Sequence, residues 1–96
     1  MIVSFGDAAT EDIFNGERSA RTRRFGSEVL KATARKLDML NAAHSLDDLK
    51  VPPGNRLEVL KGSLSGFHSI RVNDQWRLVF RWKDGFVQGV RLIDYH

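Results

Sequence analysis

The chain has no cysteine, which excludes disulfides and thiolate-bound metal, and nothing in it points to an oxidising compartment. Proline is nearly as scarce, with only Pro52 and Pro53, side by side. Val51-Pro52-Pro53-Gly54-Asn55 cannot continue a helix, because prolines remove donors and fix φ, so this segment divides a helical first half from a β second half. No apolar run approaches bilayer-spanning length. Met1-Ile2-Val3-Ser4-Phe5-Gly6-Asp7 lacks the basic flank and apolar core of a secretory leader, so a soluble, cytoplasmic protein with no membrane partner is expected. The glycines fall outside any GxGxxG or P-loop context, which leaves no support for a nucleotide cofactor. His44, His68 and His96 lack HxxxH or HxH spacing, so no metal is expected. A serine-hydrolase elbow is also missing.

What is present is basic. The 96 residues make one domain, 1–96, carrying a net charge of +3 and a pI near 9.7. A chain of this size buries only about two-thirds of its unfolded surface, which argues against a deep cofactor pocket. A charge of +3 is modest by itself, and clustering is what gives it meaning. Arg18, Arg21, Arg23 and Arg24 fall together near the first helices, and Arg71, Arg77, Arg81 and Arg91 lie on the last strands. Arginine suits bidentate phosphate contacts better than lysine does.

The pattern predicts an α+β fold, a small antiparallel sheet with two N-terminal helices packed on one face. Ile2-Val3-Ser4-Phe5 reads as a short opening strand, and Asp7 as the cap of a helix through about Phe14, broken at Asn15-Gly16. From about Gly26 to Ala43, Val29, Leu30, Thr33, Leu37 and Leu40 recur at helical steps, with Lys31, Arg35 and Asp38 directed elsewhere. Ser45 to Leu49 reads as one capped turn. Strands follow at Arg56 to Leu60, Phe67 to Val72, Trp76 to Lys83 and Phe86 to Asp94, the last two joined by a tight Asp84-Gly85 turn. Alternation directs Trp76, Leu78, Phe80, Trp82, Ile70 and Val72 toward the helices. It directs Ser69, Arg71, Arg77, Val79 and Arg81 to a face turned toward water or substrate.

Arg77 stands mid-strand, where an exposed face would accept threonine or lysine equally, and its fork suits a phosphate. His96 is terminal, and chain ends usually fray. Val90-Arg91-Leu92-Ile93 nevertheless continues the strand pattern up to Asp94, so the imidazole is expected near the sheet, where Asp94 or Tyr95 can orient it or share proton transfer. His44 reads as a cation at a helix C-terminus and His68 as a sheet-packing residue.

Pro52-Pro53-Gly54-Asn55-Arg56-Leu57-Glu58, then Leu60-Lys61-Gly62, then Ser69-Ile70-Arg71-Val72-Asn73-Asp74-Gln75-Trp76-Arg77-Leu78, and the ending Asp94-Tyr95-His96 together resemble the HigB toxins of the RelE/ParE superfamily, looking closest to the branch that includes GraT. The resemblance spans essentially the whole chain. It implies the RelE-like microbial ribonuclease fold and the toxin of a type II toxin–antitoxin pair that cuts mRNA on the translating ribosome, without a cofactor. It also implies a helix-turn-helix antitoxin of HigA type as partner.

The family's functional residues correspond here to Asp94, Tyr95, His96, Arg77 and Lys61, with Arg71, Arg56 and Ser69 as candidates for RNA contact. Some HigB toxins carry a histidine three residues before the loop lysine, where this chain has Glu58; that carboxylate could act as base or pair with Arg56 or Lys61. Arg21, Arg23, Arg24 and Lys31 are candidates for ribosomal RNA. Two rival readings are a ParE-like gyrase inhibitor, against which the Asp94-Tyr95-His96 ending argues, and a non-catalytic homologue that only binds its antitoxin.

Overall fold

Asp7 begins the first helix as its position predicts. Its carboxylate accepts the Thr10 backbone N–H at 2.8 Å, satisfying one of the donors that a helix N-terminus leaves open. The computed structural model describes residues 1–95. Within them helix α1 runs Ala8–Asn15 and ends at Gly16, whose φ of 72° is the left-handed geometry that glycine adopts without strain.

Helix α2, Ser27–Ala42, lies within one residue of the predicted span at each end. Its stripe faces inward as expected: Thr33, Leu37 and Leu40 are buried, Val29 and Leu30 are half-buried, and Lys31, Arg35 and Asp38 are exposed. Truncating Leu37 or Leu40 to alanine would cost about 2–5 kcal/mol.

Single 3₁₀ turns follow at Leu46–Lys50 and Pro53–Asn55, the first closed by a reciprocal Ser45–Asp48 capping box. The four strands are β1 Glu58–Val59, β2 His68–Arg71, β3 Trp76–Lys83 and β4 Phe86–Asp94, antiparallel and in the order β1-β2-β3-β4. Ile13, Leu37 and Leu40 pack with Ile70, Leu78, Phe80, Val87, Val90 and Leu92, so both helices cover one sheet face. Asp84 and Gly85, at φ 52° and 83°, make the predicted tight turn. Among the described residues no helix is long and apolar enough to cross a membrane.

Three expectations change. The strand expected from Arg56 to Leu60 shrinks to Glu58–Val59, because Arg56 adopts φ 45° and ψ 58°, which no strand residue can. The opening strand is reduced to two parallel bridges, Ile2 with Val87 and Phe5 with Val90. A bulge in β4 breaks that ladder: Gly89 takes φ 63°, and its N–H donates instead to the Ser4 hydroxyl at 2.9 Å. The bulge also turns both Val87 and Val90, three residues apart, into the core.

The third change concerns the second sheet face. Ser69, Arg77 and Val79 are buried rather than turned toward water. The Arg56 carbonyl meets the Arg77 side chain there, and Glu58 of β1 stands across from Ser69 of β2.

Candidate active site

Arg77 anchors the arrangement. Strand register puts its side chain on the face away from the helices, opposite Arg71 of β2 and Ile93 of β4. It is only 5 % exposed, and a cation so enclosed needs partners for its donors. They are present. Nε–H donates to Ser69 Oγ at 2.9 Å, and Nη2–H donates to the Arg56 carbonyl at 2.6 Å, with the Ser69 carbonyl at 3.4 Å. Nη1 stands 3.7 Å from Glu58 Oε1. The guanidinium carbon lies 5.2 Å from the centroid of the Tyr95 ring. A guanidinium holds its donors in one rigid plane, so these contacts fix its orientation. Among the described residues, the Nη1 edge beside Glu58 has an ion pair but no hydrogen bond.

The register leaves Arg71 directly opposite Arg77, a pairing that like charges disfavour. The two side chains turn apart: Arg77 reaches toward Ser69 and Arg56, while Arg71 donates to Asp74 in the β2–β3 turn. Arg71 therefore sits at the rim and Arg77 beneath it.

Asp94 and Tyr95 are tied to the same turn. Tyr95 N–H donates to the Gln75 carbonyl at 2.7 Å, and the Gln75 amide donates to Asp94 Oδ2 at 3.1 Å. Asn73 Oδ1 shapes that turn by accepting the backbone N–H groups of Gln75 and Trp76 at 2.9 and 2.8 Å. Asp94 and Tyr95 are thereby held at the Arg77 end of the sheet. His96, the expected proton-transfer residue, lies outside the described residues.

The remaining candidates divide. Ser69, expected at the RNA, is fully buried with its hydroxyl under Arg77, so it supports the guanidinium. Arg56 presents its carbonyl to Arg77 and leaves its side chain exposed. Glu58 pairs with Arg77 rather than with Arg56 or Lys61. Lys61 is exposed at the head of a 3₁₀ turn, Gly62–Leu64, that joins β1 to β2, outside the Arg77 contacts.

Residues passed over in the sequence complete the frame. Gln75 secures both Asp94 and Tyr95, and Asn55 holds the turn that delivers the Arg56 carbonyl. Lys36 donates to Asn55 Oδ1, and its ammonium is pushed below the ordinary lysine range by burial first, then by the charges of Arg35 and Arg71. A polar residue in a Pro-Pro-Gly-Asn turn was the available signal for Asn55.

Of the residues expected at ribosomal RNA, Arg21 already pairs with Asp12 at 3.0 Å, and Arg24 lies 4.7 Å over the Phe25 ring. Arg23 and Lys31 are exposed. His68 stacks on Phe80 with ring centroids 5.9 Å apart, as a packing residue should. His44 contributes its backbone N–H to Asp48 at 2.9 Å, beyond the end of α2.

Comparison with known proteins agrees with this architecture. Toxin HigB-1 of Vibrio cholerae serotype O1 is 45 % identical over 85 residues, covering 88 % of this chain and 87 % of that one. Among solved structures, a YafQ mutant from E. coli superposes with a TM-score of 0.68 at 17 % identity, covering 98 % of this chain and 91 % of that one. The heterotetrameric YoeB–YefM toxin–antitoxin complex of Staphylococcus aureus contains a chain that superposes with a TM-score of 0.61 at 21 % identity, covering 100 % of this chain and 95 % of that one. The HigB-like toxin family model, described as the RelE-like toxin of type II toxin–antitoxin system HigB, matches residues 3–96, and the chain belongs to that family.

Proposed function

We propose that this toxin is a ribosome-dependent endoribonuclease that cuts mRNA without a metal. The observation that carries the reading is the Arg77–Tyr95 contact, which sets a buried, oriented guanidinium against the ring of Tyr95. In the proposed reaction a ribose 2′-oxygen attacks the adjacent phosphorus as its proton passes to a base, and the P–O5′ bond breaks as an acid protonates the leaving oxygen. The products are a 2′,3′-cyclic phosphate and a 5′-hydroxyl. Arg77, through its Nη1 edge, and Lys61 neutralise charge developing on the phosphoryl oxygens. His96 transfers a proton, and Asp94 and Tyr95 orient it or supply the second transfer. A DNA strand lacks the 2′-hydroxyl and is not cut.

The cluster is too small to align a flexible strand alone, and the ribosome supplies that alignment. Among the exposed or rim cations, Arg56, Arg71, Arg23 and Lys31 are candidates for RNA phosphates. Binding then weakens with salt, by a log–log slope of roughly 0.7–0.9 per phosphate neutralised. Membership of a type II toxin–antitoxin family supports a cognate antitoxin; in this reading that antitoxin is of helix-turn-helix HigA type and the toxin acts in the cytoplasm.

The test is mapping of mRNA 5′ ends on programmed ribosomes with purified toxin. Cleavage that Arg77→Ala and His96→Ala abolish in folded protein is expected. Cutting at the normal rate by both variants would remove the site assignment, and gyrase-dependent DNA damage without mRNA cleavage would favour the ParE-like reading.

A further inference from the structure

The Arg56 carbonyl that receives Arg77 sits in an unusual place. Arg56 has φ 45°, a left-handed conformation that a side-chain-bearing residue adopts only when its surroundings impose it. The preceding residue supplies the constraint. Asn55 is fully buried, and its Nδ2 donates to the Leu49 carbonyl at 3.1 Å and the Val51 carbonyl at 3.4 Å. Its Oδ1 accepts from Lys36 of α2, and its backbone N–H donates to the Pro52 carbonyl at 3.0 Å. Every polar group of the Asn55 side chain therefore points at a fixed element, either α2 or the turns before β1. The Arg56 N–H, in turn, donates to the Pro53 carbonyl at 3.1 Å, closing the turn on its other side.

We infer that Asn55 is a positioning residue for Arg77: by clamping the turn from Leu49 to Arg56, it aims the Arg56 carbonyl at Nη2 and sets the plane of the guanidinium. The inference rests on the endoribonuclease reading. An apolar residue of similar size would fill the space but could not hold two carbonyls and an ammonium at once. Arg77 Nε has its own acceptor in Ser69 Oγ, so one edge of the plane is set by β2. The second edge is set by Asn55 through Arg56. Displacing the carbonyl would let the plane rotate about Nε and move the Nη1 edge, which pairs with Glu58 and which the proposed reaction turns to a phosphoryl oxygen. Lys36 forms the outer arm of the clamp and links it to α2.

The experiment compares wild-type toxin with Asn55→Ala by two readouts. The first is the NMR signal of the Arg77 side-chain Nε–H, recorded on the folded, isolated protein. The second is single-turnover mRNA cleavage on programmed ribosomes, with the rate constant and the half-saturating ribosome concentration fitted separately. Asn55→Ala is expected to shift or broaden the Arg77 signal. It should also lower the cleavage rate constant by about 10²-fold, as misplacement of a catalytic group by about 1 Å does, while half-saturation stays nearly constant. A folded Asn55→Ala protein with unchanged Arg77 signals and an unchanged rate constant would overturn the inference, leaving Asn55 a stabiliser of its turn alone. If Asn55→Ala fails to fold, Lys36→Met is read in the same way: a displaced Arg77 signal supports the clamp, and an unmoved one overturns it. Wild-type toxin that binds ribosomes without cutting would sink the endoribonuclease reading separately, since the NMR arm does not depend on cleavage.

Discussion

The ring of Tyr95 packs against the guanidinium of Arg77, with 5.2 Å between ring centroid and guanidinium carbon, while Tyr95 N–H is held by the Gln75 carbonyl at 2.7 Å. The ring and the phenol are separable in this arrangement. Tyr95→Phe keeps the ring over the cation, so its unfolding free energy should stay within about 0.5 kcal/mol of wild type. Tyr95→Ala removes the ring and should cost about 1 kcal/mol. Chemical denaturation checks both. If the phenol takes part in proton transfer, cleavage falls for Tyr95→Phe although stability does not, and equal stability losses in the two variants would contradict the packing role.

Arg77→Lys tests whether the fork or the charge matters. A lysine keeps the charge but cannot place donors on both Ser69 Oγ and the Arg56 carbonyl. Leaving the buried Ser69 hydroxyl and the partly buried Arg56 carbonyl without this donor should cost about 1–3 kcal/mol, and loss of an oriented donor should slow cleavage by about 10²-fold or more. Urea unfolding and ribosomal cleavage are the measurements. A variant near wild type in both would show that orientation of this cation is unimportant.

Helix spans and the last hairpin were legible because each rests on a local rule: the Asp7 cap, the Leu37 and Leu40 spacing, and the positive φ demanded at Asp84-Gly85. The arginine-bearing strand face was legible as a pattern but not in its environment. Alternation says that Ser69, Arg77 and Val79 share a side, and it cannot say that the turn at Arg56 folds over them, because that contact joins residues 21 apart in sequence. The same limit hid Gln75 and Asn55, whose polar side chains suggest solvated turns until tertiary partners are known. The β4 bulge escaped because a lone Gly89 in a strand is ambiguous between a weak position and a bend.

Glu58 separates two roles that the sequence left open. At 3.7 Å from Nη1 and with its side chain 44 % exposed, it makes a solvent-screened ion pair rather than a short hydrogen bond. Glu58→Gln should therefore change stability by no more than about 1 kcal/mol. As a partner of Arg77 alone, Glu58 can be replaced with less than about a tenfold change in cleavage and no change in the acid limb of the pH–rate profile. A loss of about 10²-fold or more together with a displaced limb would instead assign it as the base.

Gly89→Ala isolates the backbone cost of the bulge. A Cβ built at Gly89 meets nothing within 4 Å, so crowding plays no part, but φ 63° is strained for any side-chain-bearing residue. The expected destabilisation is about 1–2 kcal/mol, read by thermal or urea unfolding. The adjoining Ser4–Gly89 hydrogen bond and the Val90 register depend on the same geometry. A neutral Gly89→Ala variant would mean that β4 reaches its register without the left-handed residue.

Asp12 provides a pH-dependent test of the segment joining α1 to α2. The Ser19 hydroxyl first, and the Arg21 guanidinium second, hold its carboxyl below the ordinary value of 3.8. The folded state thus binds the ionised form more favourably than the unfolded chain does. That contribution is complete above the unfolded value and is lost as pH falls through the lower folded value. Asp12→Asn should consequently be less stable than wild type near neutral pH, with the gap narrowing below about pH 4 as the wild-type carboxylate takes up its proton. Urea unfolding across that range measures it. Asp48, whose carboxyl is lowered by the His44 and Ser45 backbone N–H groups, keeps its own acid sensitivity in both proteins, so the diagnostic quantity is the difference between them. A gap that stays constant through the acid range would show that Asp12 acts through the shape of its hydrogen bonds to Ser19 and Arg21, and not through its charge.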